Sequence, residues 1–277
     1  MAVAVVTGGA SGFGLALGRE CAAAGMDVVL LDLDGERAIA EAQQLHAMFG
    51  TIAIGAGIDV GDAASVATAA AFVAQRFPAV DLVISNVGVQ LFGSVEHFTD
   101  DEWRWMLDVN VIGSARVVRA FLPGLRNADH GRLAFTTSSS VLDPAARLGA
   151  YQSSKFAVWG LAETLRLELE PEGIGVSVIL PSGMLTRHLE TSEAAQPEHL
   201  RRAIAEDEDF EAMMASNPEM AAMLATPEEA ARDVIQSLLD GRHYVITHGD
   251  LTDAVARRSA ELTAAAEAAR SKADRPA

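Results

Sequence analysis

At 277 residues, half of them hydrophobic and only 5% aromatic, the chain is long enough to build one large α/β core, and its abundance of Ala, Val and Leu suits small-residue helices packed on a sheet. The formal net charge of −17, from 21 Lys and Arg against 38 Asp and Glu, opposes binding to nucleic acid or an anionic membrane without a basic patch, and the sequence contains none. The single Cys21 excludes an internal disulfide and any multi-cysteine metal site, the seven histidines show no metal-ligand spacing, and no apolar run reaches the ~20 residues of a membrane span, so the expectation is a soluble cytoplasmic protein without a metal.

The first apolar run, Ala2 to Val6, predicts a buried strand and leads into Thr7-Gly8-Gly9-Ala10-Ser11-Gly12-Phe13-Gly14, after which a helical pattern runs from Leu15 to Ala24. Strand, glycine turn and helix in this order form a dinucleotide-binding arrangement. Glycines let the backbone approach a pyrophosphate, whose charge lies against the free N–H groups and positive end of the helix. Gly8, Gly12 and Gly14 differ in spacing from the commonest three-glycine fingerprint, and a ligand-free turn is the plainer alternative. The second strand, Asp27 to Leu31, ends at Asp32, where a doubly wound fold puts a carboxylate within reach of the adenosine ribose. That carboxylate accepts from both ribose hydroxyls and repels a 2′-phosphate. Neither Leu33 nor Asp34 supplies an arginine, so the expected cofactor is NAD (NADH) rather than NADP; a capped surface turn is the alternative for Asp32.

Glu36 to Phe49 predicts a helix, Thr51 to Ile58 a third strand ending in Asp59-Val60, and Asp62 to Arg76 a helix with Asp62 at its N-cap. The fourth strand, Asp81 to Ser85, ends in Ser85-Asn86-Val87-Gly88, again polar at the carboxyl edge where open α/β sheets bind ligands. Thr99-Asp100-Asp101-Glu102 starts a long helix expected to run with interruptions to Leu122, ahead of Pro123. Asn110 within it is flanked by valines, and a buried amide there serves either a structural hydrogen bond or the site. The fifth strand, Arg132 to Thr137, ends in Ser138-Ser139-Ser140. A hydroxyl at that edge could donate to a developing alkoxide, the alternative being a plain serine turn.

Tyr151 and Lys155 stand four apart at the head of a helical pattern that continues to Leu169, so both side chains share one helix face. A free tyrosine titrates near ~10, and a neighbouring ammonium favours its ionised form, which makes the pair a candidate general acid/base. A chance surface pair is the alternative. Gly175 to Leu180 predicts the sixth strand, followed by Pro181-Ser182-Gly183. Residues 187–225 are acidic and helical in propensity, with Met213, Met214, Met220 and Met223 near Phe210. They read as a flexible lid over an apolar substrate, the alternative being a helical excursion that packs its methionines into the core. Thr226-Pro227-Glu228-Glu229 starts a helix that stops at Gly241, His243 to Thr247 predicts the seventh strand, and 251–277 an Ala-rich helical tail. His243 and His248 read as incidental. Without repeats or a linker, 1–277 is expected to form a single domain: a Rossmann-like, doubly wound parallel sheet of about seven strands with helices on both faces.

Thr7-Gly8-x-x-x-Gly12-x-Gly14, Asp32, Asp59-Val60, Asn86-x-Gly88, Asn110, Ser138 and Tyr151-x-x-x-Lys155 occur in one order and spacing. In these residues the chain resembles the short-chain dehydrogenase/reductase family over about residues 2 to 250. The resemblance implies reversible hydride transfer between a nicotinamide and an alcohol or carbonyl carbon. It makes Tyr151 the acid/base, Lys155 the group that lowers its pKa and holds the nicotinamide ribose, Ser138 the substrate-orienting hydroxyl, and Asn110 the holder of a relay water. It assigns cofactor contacts to Gly8, Ser11, Gly12, Phe13, Gly14, Asp32, Leu33, Asp59, Val60, Asn86, Gly88, Tyr151, Lys155, Pro181 and Thr186. It also implies pairing of copies through the helices of Asn110 and Tyr151, as a homodimer or homotetramer. Two departures are visible: Val87 in the Asn-x-Gly turn, and Ser182 where many members carry the glycine that faces the nicotinamide. The expected activity is interconversion of an apolar or ring-containing secondary alcohol and its ketone. The competing readings are a catalytically silent NAD(H) sensor, disfavoured by the complete acid/base set, and a sugar-nucleotide epimerase or dehydratase, disfavoured by the glycine spacing.

Overall fold

The computed structural model describes residues 1–201, 207–218 and 223–273. Seven parallel strands form one sheet: β1 (Val3–Thr7), β2 (Asp27–Asp32), β3 (Ala53–Gly57), β4 (Leu82–Ser85), β5 (Arg132–Thr136), β6 (Gly175–Leu180) and β7 (Tyr244–Ile246). Their order is β3-β2-β1-β4-β5-β6-β7, so the chain winds outward in both directions from the β1/β4 junction, the doubly wound pattern predicted. The central strands are buried along their whole length, as continuous apolar runs covered on both faces must be. One core layer joins Val5, Val29, Leu133, Phe135 and Val178 to the helices α3 (Ala63–Ala74), α5 (Gly113–Arg126) and α6 (Gly149–Leu169). The opposite layer joins Val6, Leu30 and Ile179 to α1 (Gly12–Ala23) and α2 (Gly35–Phe49).

Local chemistry sets most element ends. Asp34 accepts from Arg37 N at the start of α2, Asp62 accepts from Ala64 N at α3, and Thr99 with Glu102 closes a capping box at α4 (Asp100–Leu107), each satisfying amides that a helix start leaves unpaired. Gly50 closes α2 at φ +74°, a conformation that glycine adopts without a Cβ penalty.

Two expectations need correction. The long helix does not stop before Pro123: α5 continues to Arg126, because burial of Phe121 and Leu125 outweighs the single backbone bond that proline removes. Between α4 and α5 the helix loosens into one π-helical turn, Asp108–Ile112, an interruption of the kind expected. The helix predicted from Thr226 to Gly241 is two, α9 (Pro227–Ala231) and α10 (Val234–Leu239), broken at Asp233 with φ +60°.

The segment after β6 holds α7 (His188–Ala194) and α8 (Asp207–Ser216), and α11 (Thr252–Ala273) closes the chain. Parts of the predicted lid and tail, 202–206, 219–222 and 274–277, with Glu206 and Met220 among them, lie outside the described residues.

Candidate active site

The carboxyl ends of β1, β2, β4 and β5 converge where the strand order reverses, the crevice in which such sheets bind ligands. Gly8 (φ +66°) and Gly12 (φ +51°) take left-handed backbone, open to glycine without strain. At Gly14 a Cβ would stand 2.0 Å from the Gly8 carbonyl oxygen, so the turn folds onto the first turn of α1 only because no side chain is there. Unlike α2 to α4, α1 has no side-chain cap, and its first turn holds no acid. Its leading amides and dipole are left for an anion. The Phe13 side chain is buried in the core, so only its backbone can serve the crevice.

Asp32 Oδ2 accepts from Ala10 N at 2.9 Å and Oδ1 from Asp34 N at 3.1 Å. The carboxylate thus braces the glycine turn and holds its position past the end of β2, with Leu33 exposed beside it. Asn86 ties the sheet's halves together: its Nδ2 donates to Gly8 O at 3.4 Å and its Oδ1 accepts from Thr136 Oγ1 at 3.0 Å. Gly88 leaves room above Lys155, since a Cβ there would stand 2.9 Å from Nζ. Asp59 is exposed and braced by Gly61 N at 2.8 Å, while Val60 is buried. Thr186 lies against Gly12, and Pro181 accepts from Ser139 N through its carbonyl at 2.8 Å. An uncapped helix start, glycines at the close approaches and a carboxylate at the second strand's end fit a dinucleotide.

Tyr151 and Lys155 emerge from the first two turns of α6. The Ser138 hydroxyl hydrogen-bonds the Tyr151 hydroxyl, which singles it out from the serine run: Ser139 spends its amide on Pro181, and the Ser140 side chain is buried. Lys155 is only 4% exposed; its Nζ donates to Thr136 O at 3.1 Å and lies 5.6 Å from the Tyr151 ring centre. Burial pushes the tyrosine up to about 12, the Ser138 bond acting in the opposite sense, and burial brings the lysine down to about 8. The expected lowering of the tyrosine by Lys155 is therefore not what prevails here. Loss of hydration outweighs an ammonium held beside the ring rather than at the hydroxyl. Tyr151 therefore keeps its proton at neutral pH.

Asn110 sits 1% exposed in the π-helical turn. Its Oδ1 accepts from Val89 N at 2.7 Å, and its Nδ2 donates to Val89 O at 2.9 Å and to Ser154 Oγ at 2.8 Å. Ser154 in turn donates to Tyr151 O at 2.6 Å. The amide is committed to clamping the β4 loop to α6, so the structural alternative accounts for the side chain. Ser154 is the residue the sequence reading passed over; only its place inside Tyr151-x-x-Ser154-Lys155 could have signalled it.

The Ser182 side chain does not obstruct the crevice. Its Oγ donates to His248 O at 3.0 Å, and the His248 ring bonds Gly183 O at 2.9 Å and Thr247 Oγ1 at 2.6 Å. His248 is therefore a staple for the turn after β6, not incidental. Above Tyr151, Met213 of α8 is buried with Val89, Leu91, Phe92 and Leu148, and Leu189 and Met214 pack against them. Arg147–Asp209 (3.3 Å), Ser216 Oγ with Ala146 N (2.8 Å) and Asn217 with Asp143 (3.0 Å) fasten α8 to the loop ahead of Tyr151.

A family profile described as short chain dehydrogenase matches residues 2–197, and the chain belongs to that family: it is an oxidoreductase with a nicotinamide-binding fold. Among its relatives is a D-beta-hydroxybutyrate dehydrogenase of Rhizobium meliloti (strain 1021), 30% identical over 187 residues, covering 66% of this chain and 71% of the relative. A short chain dehydrogenase/reductase from Burkholderia phymatum, solved in complex with NAD, superposes with a TM-score of 0.83 at 29% identity and covers 95% of each chain. An alcohol dehydrogenase from the archaeon Thermococcus sibiricus, complexed with 5-hydroxy-NADP, superposes with a TM-score of 0.74 at 25% identity over 91% of this chain and 98% of its own. Relatives of this fold thus hold either nicotinamide dinucleotide.

Proposed function

We propose that the protein is an NAD-dependent dehydrogenase that interconverts a secondary alcohol and a ketone on an apolar or ring-bearing substrate. The observation that carries this reading is the Tyr151 hydroxyl bonded to Ser138, with Lys155 behind it, at the open edge of the sheet. The nicotinamide, when bound, supplies the hydride acceptor or donor. In the reducing direction Tyr151 passes its proton to the carbonyl oxygen as that oxygen takes up negative charge, and Ser138 donates a hydrogen bond to the same oxygen. In the oxidising direction Tyr151 must first lose its proton, and the Lys155 charge then stabilises the phenolate. Lys155 donates one of its three hydrogens to Thr136 O and keeps the others for a ribose or a water. Asn110 and Ser154 hold the tyrosine's backbone in place.

Preference for NAD rests on Asp32. Its carboxylate is fixed by two backbone amides where a 2′-phosphate would sit, and carboxylate against phosphate is repulsive. Val89, Leu91, Phe92, Leu148 and Met213 pack into a closed apolar cluster that also holds Tyr151, each at most 5% exposed, and the partly exposed Leu189 and Met214 at its border are the reason for an apolar substrate. Residues 187–225 act as its lid, with α8 fastened over the loop ahead of Tyr151. Copies associate through α5 and α6, and Leu167 of α6 is 61% exposed. The complete acid/base arrangement argues against a silent NAD(H) sensor.

Titration with NADH and separately with NADPH, followed by fluorescence and then by turnover of a panel of secondary alcohols, tests the reading. NADH preference that weakens in Asp32→Ser, with turnover lost in Tyr151→Phe, is the expected result. Binding of neither cofactor would sink it.

A further inference from the structure

Helix α7 places a histidine in the crevice that no role so far uses. His188 and Ser192 are four residues apart and share one face of α7. Ser192 is 1% exposed, and its Oγ accepts from Gln90 N at 3.1 Å, two residues beyond Gly88. That face is thus turned onto the β4 loop beside Lys155. The register agrees with the electrostatics, since the Lys155 ammonium acts on the His188 ring. At the chain's other neighbours, His188 N donates to Thr186 Oγ1 at 3.2 Å, and Leu189 packs into the apolar cluster that holds Tyr151. The backbone is fastened, yet among the described residues the half-buried imidazole has no hydrogen-bond partner. His46, His243 and His248 all bond through their rings.

The ring nitrogens of this half-buried imidazole are unspent but not sealed from solvent, so both remain available to a ligand entering the crevice. Burial, and second the nearby lysine charge, bring the ring down to about 4, so at working pH it is neutral, with one donor and one acceptor.

Resting on the dehydrogenase reading above, we propose that His188 is a substrate-binding residue that recognises a second, uncharged oxygen next to the reacting carbon. The preferred substrates are then vicinally oxygenated alcohols and ketones, such as 1,2-diols and α-hydroxyketones, with an apolar remainder against the partly exposed Leu189 and Met214. Tyr151 and Ser138 take the reacting oxygen, and His188 takes its neighbour from the α7 side. A neutral hydrogen bond suits a hydroxyl, which can both donate and accept.

The test is a matched pair, 1-phenylethanol and 1-phenyl-1,2-ethanediol, assayed with NAD for the unaltered protein, His188→Leu and His188→Gln. The unaltered protein is expected to favour the diol. His188→Leu should lose about tenfold in kcat/KM on the diol while changing little on the mono-alcohol, the loss of about one hydrogen bond. His188→Gln, which keeps a donor and an acceptor, should recover part of the preference; a merely structural role would lower both substrates alike. Diol preference unchanged in His188→Leu, with both alcohols turned over, overturns this inference and leaves the dehydrogenase reading standing. Failure of the unaltered protein to oxidise either alcohol, although it binds NADH, counts against the proposed substrate class and sinks the inference with it. The variants' NADH affinity and thermal midpoint identify a folding defect. Should His188→Leu not fold, the imidazole nitrogen resonances of the unaltered NADH complex decide: a shift with the diol and none with the mono-alcohol supports the inference, and no shift with either overturns it.

Discussion

Helix α6 carries two polar clusters, and the contrast between them separates a site from a support. Near its start, the Tyr151 hydroxyl has Ser138, and Lys155 has Thr136 O. Both keep unspent bonding capacity, and burial drives their proton affinities apart, to about 12 for the tyrosine and about 8 for the lysine. Eight residues on, Glu163 Oε1 accepts from Trp159 Nε1 at 2.7 Å, Tyr244 OH at 2.6 Å and His243 Nε2 at 3.0 Å. Burial alone would raise this carboxyl, but the three donors prevail and hold it at about 2. A fully bonded acid fastens β7 to α6. A tyrosine and a lysine left short of partners, at a sheet edge, are free to bond something else.

The largest break in that contrast is Tyr151→Phe. Removing the hydroxyl should lower turnover by about 10³ while leaving NADH binding and the thermal midpoint nearly unchanged. The same hydroxyl sets the pH profile: alcohol oxidation should climb as pH rises above 8, because the phenol must first ionise, whereas ketone reduction should not. A profile flat for oxidation from pH 7 to 10 would show that another group takes the proton. Asn110→Leu should cost about 2–3 kcal/mol in urea unfolding, since Val89 N–H, Val89 C=O and Ser154 lose a partner in the interior. The smallest effect belongs to the second cluster. Glu163→Gln should lose about 1 kcal/mol, discounted because the carboxylate is partly exposed, and should leave kcat unaltered. Its pH signature has a definite sign. The folded acid titrates below the unfolded one, so its contribution is complete above about 4.5 and is lost as pH falls toward about 2; the glutamine variant should lack that limb.

These clusters were unequally legible. Tyr151 and Lys155 could be singled out because four-residue spacing is a local property of a helix. Ser138, Asn86 and Asp32 could be placed because each stands where an apolar strand pattern stops. Glu163 gave no such signal: its partners Tyr244 and His243 are 80 or more residues away in sequence, and only the β6–β7 pairing brings them together. His243 and His248 read as incidental for the same reason. His188 was passed over because a lone histidine in an acidic stretch has no pattern. Pro123 and Asp233 misled in opposite senses, one tolerated inside a helix and one breaking an apparently regular helix, because packing on the sheet overrides local propensity.

The sequence by itself determined the alternation of strands and helices, the glycine turn, the carboxylate at the end of β2 and the acid/base spacing, since each depends on residues within a few positions of one another. The tertiary structure alone decided which serine meets the tyrosine, that Asn110 spends its amide on Val89 and Ser154, that Ser182 turns away toward His248, and that His188 comes within electrostatic reach of Lys155. Those outcomes depend on loops from distant parts of the chain meeting at one sheet edge, where burial and hydrogen bonds from non-local partners, rather than neighbours in sequence, set what each polar group can still do.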